Sequence, residues 1–314
     1  MQIEANNYSI AVLGAGTMGE GIAQIAGTAG HPVMIYDISH EQIQSAIENI
    51  GSRLERSVNK GIIADEKRTQ ILANIKPVQT LEELAKAKLA IEAIFEDLLI
   101  KQEVFSQLES LLEEDAILAT NTSSIDLNEM GSVLKRPERF VGMHFFNPAP
   151  VMALVEVVQS TETDSEVAEF VFSLAEQWGK CPVHVRSSPG FIVNRAARPF
   201  YSEALAILKE GGTDASTCDA IMRECGGFRM GPFELMDLIG LDVNYAVTCQ
   251  IWESYQRHPR FAPSVLQKEL VDSGRLGRKS GQGFFEYGVD VEMQVPKNAP
   301  ESPAPASLII DCLL

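Results

Sequence analysis

The sequence is poor in positive charge: 26 lysines and arginines face 43 acidic side chains, for a formal charge of -17. So acidic a surface repels nucleic-acid phosphates and anionic lipid, so neither is expected as a partner and any anionic ligand needs a local basic patch. A cysteine pattern is also lacking. The five cysteines (Cys181, Cys218, Cys225, Cys249, Cys312) are odd in number, widely spaced and free of any CxxC, which suggests neither a disulfide framework nor a zinc site, and no metal is expected. No apolar run approaches the roughly 20 residues that span a bilayer, and MALVEVV carries a glutamate. The start, MQIEANNYSIAVLG, has no basic n-region ahead of an apolar stretch, so a cytoplasmic protein is expected. What is present, 314 residues with 45% hydrophobic and 22% charged side chains, suffices for two packed domains.

Short β-branched runs (YSIAVLG, HPVMIYD, KLAIEAI, DAILATN, RFVGMHF) alternate with longer helical patterns up to about residue 146. That alternation predicts βαβ units and a parallel, doubly wound α/β sheet. After the NPAP turn come a strand, MALVEVV, an amphipathic helix over TDSEVAEFVFSLAEQWG and a last strand, PVHVR. Ser187, Ser188, Pro189 and Gly190 break the pattern, and from there to about residue 286 the sequence is helical or turn-like, with Pro199 inside one long apolar-periodic segment. The expected division is therefore residues 1–187 as a cofactor domain, 188–286 as a smaller all-helical domain for substrate and dimerisation, and 287–314 as a proline-rich tail or linker.

Gly14-Ala15-Gly16-Thr17-Met18-Gly19 matches G-x-G-x-x-G between the first strand and a helix that starts near Thr17. The first glycine permits the tight turn, the second lets backbone approach a pyrophosphate, and the third lets helix pack on strand. The free N–H groups and positive dipole end of the helix then face the phosphates. Asp37 ends the second strand 23 residues after Gly14, where a Rossmann-type domain needs a carboxylate for the adenine ribose hydroxyls. A carboxylate there repels a 2′-phosphate, so the expected cofactor is NAD.

Of five histidines, His144 alone ends an expected strand at a switch in pattern, where catalytic groups of open α/β folds collect. Twelve residues on, Glu156 sits inside an apolar run, where an unpaired buried carboxylate is costly. If the chain reverses about Pro150, positions 144 and 156 lie level on neighbouring segments, and Glu156 would orient the imidazole as a general base for a hydroxyl proton. Ser123, after the strand DAILAT, also points to the carboxyl edge of the sheet; Ser124 or Asp126 would cap the next helix and leave it free. Asn194 is an amide in an otherwise apolar turn, suited to substrate or to an inter-domain hydrogen bond.

These residues resemble the L-3-hydroxyacyl-CoA dehydrogenase family, the NAD-dependent enzymes of β-oxidation and related acyl-CoA pathways, from Tyr8 to Tyr287 through GAGTMG, TNTSS, HFFNPAPVM, LVEVV, PGFIVNR, MGPFEL and GRKSGQGFF. The resemblance implies His144 as base, Glu156 as its partner, and Ser123 and Asn194 as substrate-positioning groups. It adds Glu96, Lys101, Ser123, Asn147 and Lys279 near NAD, and Arg53 and Lys60 beside CoA. Arg53, Arg56 and Lys60 fall at i, i+3 and i+7 on one helical face, a basic patch or, with Glu48 and Glu55, a solvated mixed-charge face. FIVNRAARPFYSEA most resembles the phenylacetate branch, whose substrate is 3-hydroxyadipyl-CoA, rather than the 3-hydroxybutyryl-CoA enzymes. Arg198, four residues after Asn194, would pair with a distal carboxylate or form a structural salt bridge. A homodimer through the helical domain is expected. Two other uses stay open: dehydrogenation of a free hydroxy or sugar acid, and a non-catalytic NAD-binding or structural protein on the same fold.

Overall fold

The β-branched runs form strands β1 (Ile10–Leu13), β2 (Val33–Tyr36), β3 (Ile75–Pro77), β4 (Leu89–Glu92), β5 (Ile117–Thr120), β6 (Phe140–Phe145), β7 (Leu154–Gln159) and β8 (Cys181–Arg186) in a computed structural model that describes residues 8–288 together with 295 and 296. They make one sheet in the order β3-β2-β1-β4-β5-β6-β7-β8. Every neighbouring pair is parallel except β6 with β7. Strands β1, β4 and β5 are buried along their whole length, which explains why they read as continuous apolar runs rather than as an alternation. Strand β3 was not anticipated: Ile-Lys-Pro has no strand pattern, and it survives as a three-residue edge, where a proline without an N–H is tolerated.

The helices are α1 (Thr17–Thr28), α2 (His40–Asn59), α3 (Asp65–Asn74), α4 (Leu98–Leu111), α5 (Leu127–Gly131), α6 (Ser165–Gln177), α7 (Val193–Lys209), α8 (Ala215–Glu224), α9 (Pro232–Ile239), α10 (Leu241–Ser254) and α11 (Val265–Asp272). The chain divides into two compact units between Arg195 and Ala196, so α7 opens in the first and continues in the second. In the first unit α1, α2, α3 and α6 bury Ile22, Ile50, Ile71 and Val171 against one face of the sheet. Helices α4 and α5 bury Phe105, Leu108, Leu127 and Met130 against the other, giving the doubly wound arrangement.

The second unit is helical around Tyr201, Leu205, Phe233, Met236 and Leu241. Two buried aspartates organise it. Asp219 accepts the amides of Phe233 and Glu234 (2.9 and 2.8 Å) at the start of α9, and a Cβ at Gly231 would lie 2.3 Å from it. Asp237 accepts the amides of Phe284 and Phe285 and the Tyr287 hydroxyl, while Cβ atoms at Gly277 and Gly283 would come within 2.3 and 2.1 Å of it. Gly231 of MGPFEL and Gly283 of GRKSGQGFF are thus explained by close approach to a buried carboxylate, Gly277 by close approach to the Asp237 backbone, and Gly281 by its left-handed φ of +77°. Among the described residues no helix is long and apolar enough to cross a membrane. The tail expected over 287–314 lies, apart from Tyr287, Gly288, Val295 and Pro296, outside the described residues.

Candidate active site

The loops beyond the carboxyl ends of β1, β2, β4, β5 and β6 bring together Gly14–Gly19, Asp37, Glu96, Ser123 and His144 on one edge of the sheet. Gly14 takes φ +96° and has backbone of Ala93 where a Cβ would stand, 2.4 Å from its carbonyl oxygen. At Gly19 a Cβ would fall 1.8 Å from the Gly14 carbonyl oxygen, so the absence of a side chain lets α1 close onto the turn. Gly16 differs: a Cβ there would meet nothing within 4 Å, and no positive φ demands glycine. Its missing side chain leaves an open cradle at the N-terminus of α1, which fits the pyrophosphate of a dinucleotide. Thr17 is exposed and Met18 half-buried in the first turn of the same helix. Asp37 is fixed by the amides of Ala15 (2.8 Å) and Ser39 (2.9 Å), which ties this carboxylate to the glycine turn.

His144 and Glu156 face each other in register across the antiparallel β6–β7 pair. Their side chains meet at 2.7 Å through Nδ1 and Oε2. The second oxygen, Oε1, accepts the amides of Ile192 (2.9 Å) and Val193 (3.0 Å) where α7 begins. Three donors thus surround a carboxylate with no exposed surface, which answers the cost of burying it. A carboxylate that only accepts fixes the hydrogen on Nδ1 and leaves Nε2 of a neutral imidazole with its lone pair free. His144 is 6% exposed and lies against the rings of Phe146 and Phe191.

The turn that reverses the chain is itself held. Lys180, with no acidic group among its hydrogen-bond partners, donates from Nζ to the carbonyls of Ala149 (2.7 Å) and Met152 (2.8 Å), and burial pushes its ammonium below the ordinary lysine range. Gly21 of α1 approaches the same turn, since a Cβ there would sit 3.0 Å from Ala149 and 3.1 Å from Pro150. The cofactor helix and the histidine hairpin therefore share one packing surface.

Glu96, itself exposed, and the buried Lys101 belong to one cluster with Glu92. Lys101 Nζ lies 2.7 Å from Glu92 and 2.9 Å from Glu96, and Glu92 also accepts the Thr120 hydroxyl and the Ile94 amide. Burial would raise the Glu96 carboxyl, but the Lys101 charge and the hydroxyls of Thr122 and Ser124 outweigh it and hold it below the usual carboxylate value. Ser123 gives its amide to Glu96 (3.2 Å) and stands half-buried; Asp126 caps α5. Asn147 is exposed just past β6, and Asn194 is half-buried one residue beyond the Val193 amide that binds Glu156. Sequence reasoning missed Glu92 and Thr120. The signal was there, because Glu92 is an acid in an apolar run, as Glu156 is.

The basic residues part company. Arg53 is spent on α1: it pairs with Glu20 and donates to Gln24 Oε1 (2.8 Å), whereas Arg56 and Lys60 stay exposed. In the second unit Arg198 is 4% exposed, bonds Thr248 Oγ1 (2.7 Å) and the Asn244 carbonyl (3.2 Å), and lies over the Tyr201 ring. Lys279 lies 2.6 Å from Asp242.

A dinucleotide cradle with a carboxylate-oriented histidine on the same sheet edge is the equipment of a nicotinamide-dependent dehydrogenase. The sequence profile of the 3-hydroxyacyl-CoA dehydrogenase NAD binding domain matches residues 9–188, and that of the same family's C-terminal domain matches 190–287. The chain belongs to the 3-hydroxyacyl-CoA dehydrogenase family, and its first unit carries the NAD site. It is 47% identical to the 3-hydroxyadipyl-CoA dehydrogenase of Escherichia coli over 92% of this chain and 61% of that protein. It is 39% identical to a probable 3-hydroxybutyryl-CoA dehydrogenase of Bacillus subtilis over 88% of this chain and 96% of that one. A crystal structure titled 3-hydroxybutyryl-CoA dehydrogenase from Escherichia coli superposes with a TM-score of 0.91 at 46% identity, covering 94% of this chain and 63% of that one. The chain thus spans about three-fifths of the Escherichia coli proteins it matches.

Proposed function

We propose that this protein oxidises an L-3-hydroxyacyl-CoA to the 3-oxoacyl-CoA, with His144 as general base and Glu156 as the group that orients it. The observation that carries this reading is the in-register pair itself: Nδ1 of His144 on Glu156 Oε2 at 2.7 Å, near the carboxyl end of β6. Bound NAD supplies the hydride acceptor. Nε2 of His144 takes the proton of the 3-hydroxyl, and Glu156, held by two amides, stabilises the imidazolium that results. Ser123 and Asn194 hydrogen-bond the substrate oxygens, while Asn147, Glu96, Lys101 and Lys279 serve the cofactor side, Glu96 and Lys101 by bracing its loop. The cradle at Gly16 receives the pyrophosphate and Asp37 the adenine ribose.

CoA recognition falls to the exposed Arg56 and Lys60 of the α2 face, with Arg53 bracing that helix against α1 through Glu20. The acyl group is 3-hydroxyadipyl or 3-hydroxybutyryl, after the two kinds of relative. Arg198 as the partner of a distal carboxylate remains part of this reading, as do cytoplasmic location, the domain division near residue 188, and dimerisation through the helical domain. The test is NADH production from a panel of 3-hydroxyacyl-CoA thioesters set beside their free acids. Turnover of thioesters alone, lost in His144→Gln with NAD affinity kept, is the expected result; equal turnover of free acids would instead make this a hydroxy-acid dehydrogenase.

A further inference from the structure

Among the described residues of the first unit, Phe191 is the one non-glycine whose backbone is left-handed (φ +48°). It follows Gly190 at φ +74°, so two successive residues turn the chain against its usual hand. Glycine takes such a torsion freely, and asparagine or aspartate eases it with a side-chain hydrogen bond. A phenyl group can do neither, so its presence here needs a reason that outweighs the strain.

Two consequences of the torsion are visible. It turns the Ile192 and Val193 amides onto Glu156 Oε1 (2.9 and 3.0 Å), and it carries the ring to 5.5 Å from the His144 imidazole in an edge-on approach of 61°. A glycine would deliver the amides at lower cost, so the amides alone do not explain a phenylalanine. The ring is 3% exposed and packs in the same core as Val183 and Val185. The segment is anchored at its start, where the Ser187 hydroxyl donates to Asp126 (2.7 Å) and accepts the Leu127 amide (3.0 Å). It closes with the Arg195 amide on the Gly190 carbonyl (3.0 Å).

We propose that Phe191 is a positioning residue for the base: its ring seals the His144–Glu156 hydrogen bond from water and, with Phe146, braces the imidazole. The proposal rests on the dehydrogenase reading above for its catalytic consequence, but the seal itself is measurable without turnover. The probe is the downfield proton resonance of the His144 Nδ1–H in the full chain, assigned by its disappearance in His144→Gln. In Phe191→Gly and Phe191→Ala that resonance is expected to broaden away through exchange with water, and kcat to fall on the order of 10²-fold, the scale of a small misplacement of a reacting group, with NAD affinity kept. Phe191→Leu keeps the apolar bulk, and should keep the resonance with a loss of kcat below about tenfold. The alanine variant should be no more stable than the glycine variant, because alanine inherits the strained torsion and glycine does not. A merely space-filling phenylalanine would lower stability and leave the resonance in place. The proposal is overturned if the glycine and alanine variants retain the resonance, whatever their kcat, or if Phe191→Leu loses the resonance as fully as they do. Should the glycine and alanine variants fail to fold, Phe191→Val, which shortens the apolar side chain, takes their place with the same two outcomes. If His144→Gln keeps turnover, the dehydrogenase reading fails, and the exchange measurement still decides whether Phe191 seals the pair.

Discussion

Glu156→Gln changes one atom and should disable the base by reversing its tautomer. The carboxylate uses Oε1 for two amide donors, Ile192 and Val193, and Oε2 for His144 Nδ1. A glutamine has one accepting oxygen and one donating nitrogen. Turning the nitrogen toward the amides would set donors against donors and leave two buried N–H groups unpaired, at about 1–3 kcal/mol each. The oxygen therefore stays with the amides, the nitrogen faces Nδ1, and Nδ1 must now accept. The ring hydrogen moves to Nε2, the atom we propose receives the substrate proton. The wrong tautomer in a serine-protease triad lowers kcat by about 10⁴, and a loss of about 10³–10⁴ is expected here, equal to roughly 4–5.5 kcal/mol in the barrier. Steady-state NADH formation from 3-hydroxybutyryl-CoA and 3-hydroxyadipyl-CoA measures it, with NAD binding by fluorescence titration as the control for folding. A Glu156→Gln enzyme within tenfold of wild type, or one that fails only through KM, would refute the tautomer argument.

Other expectations follow from the same geometry. Lys101→Met strands Glu92, fully buried, without its cation; unfolding in urea should show a loss of about 3–5 kcal/mol, and a stability within 1 kcal/mol of wild type would mean that the cluster is not tightly coupled. Asp37→Ala removes a charged acceptor and frees the Ala15 and Ser39 amides, so KM for NAD should rise about 10- to 100-fold while the penalty against NADP shrinks; unchanged cofactor selectivity would count against Asp37 as the ribose ligand. Burial pushes the Asp219 carboxyl up to about 6 from 3.8, so between those pH values the folded second unit holds a proton that the unfolded chain has released. Stability from this group is therefore full below about pH 4 and falls by about 3 kcal/mol as pH rises to 6, staying flat above. Urea midpoints from pH 4 to 7 should decline more steeply for wild type than for Asp219→Asn, and parallel curves would remove Asp219 as the cause.

The carboxyl edge was legible because its signals are local. A glycine turn between strand and helix, an acid ending the next strand, and a histidine and a glutamate equidistant from Pro150 each state their geometry within a few residues. Strand β3 was not, since Ile-Lys-Pro borrows its conformation from β2 and shows no period of its own. The cluster of Glu92 with Lys101 and Glu96 depends on a helix turning back over the end of β4, and apolar flanks mark the acid without naming its partner. Whether Arg53 belonged to a basic patch or to a solvated mixed-charge face was not legible, because Glu20, 33 residues earlier, becomes its neighbour only when α1 packs on α2. The left-handed turn at Phe191 has no sequence signature, as the residue is among the least suited to it. Gly277 and Gly283 of GRKSGQGFF carry no local signal of their own, and the buried Asp237 they press against explains them.

The one antiparallel pairing in the sheet also sets where the chain can tolerate change. Parallel neighbours need a crossover of a dozen or more residues between them, but β6 and β7 place the histidine and its carboxylate within a single hairpin. Every partner of Glu156 identified above, at 144, 192 and 193, comes from the first unit. Extra residues at the tip of the hairpin would disturb the Lys180 and Gly21 contacts that hold it, although the cost in chain entropy is small. A single residue inserted within either strand turns every following side chain to the opposite face and dissolves the pair. Length variation among homologues that keep the chemistry should therefore gather outside residues 140–145 and 154–159.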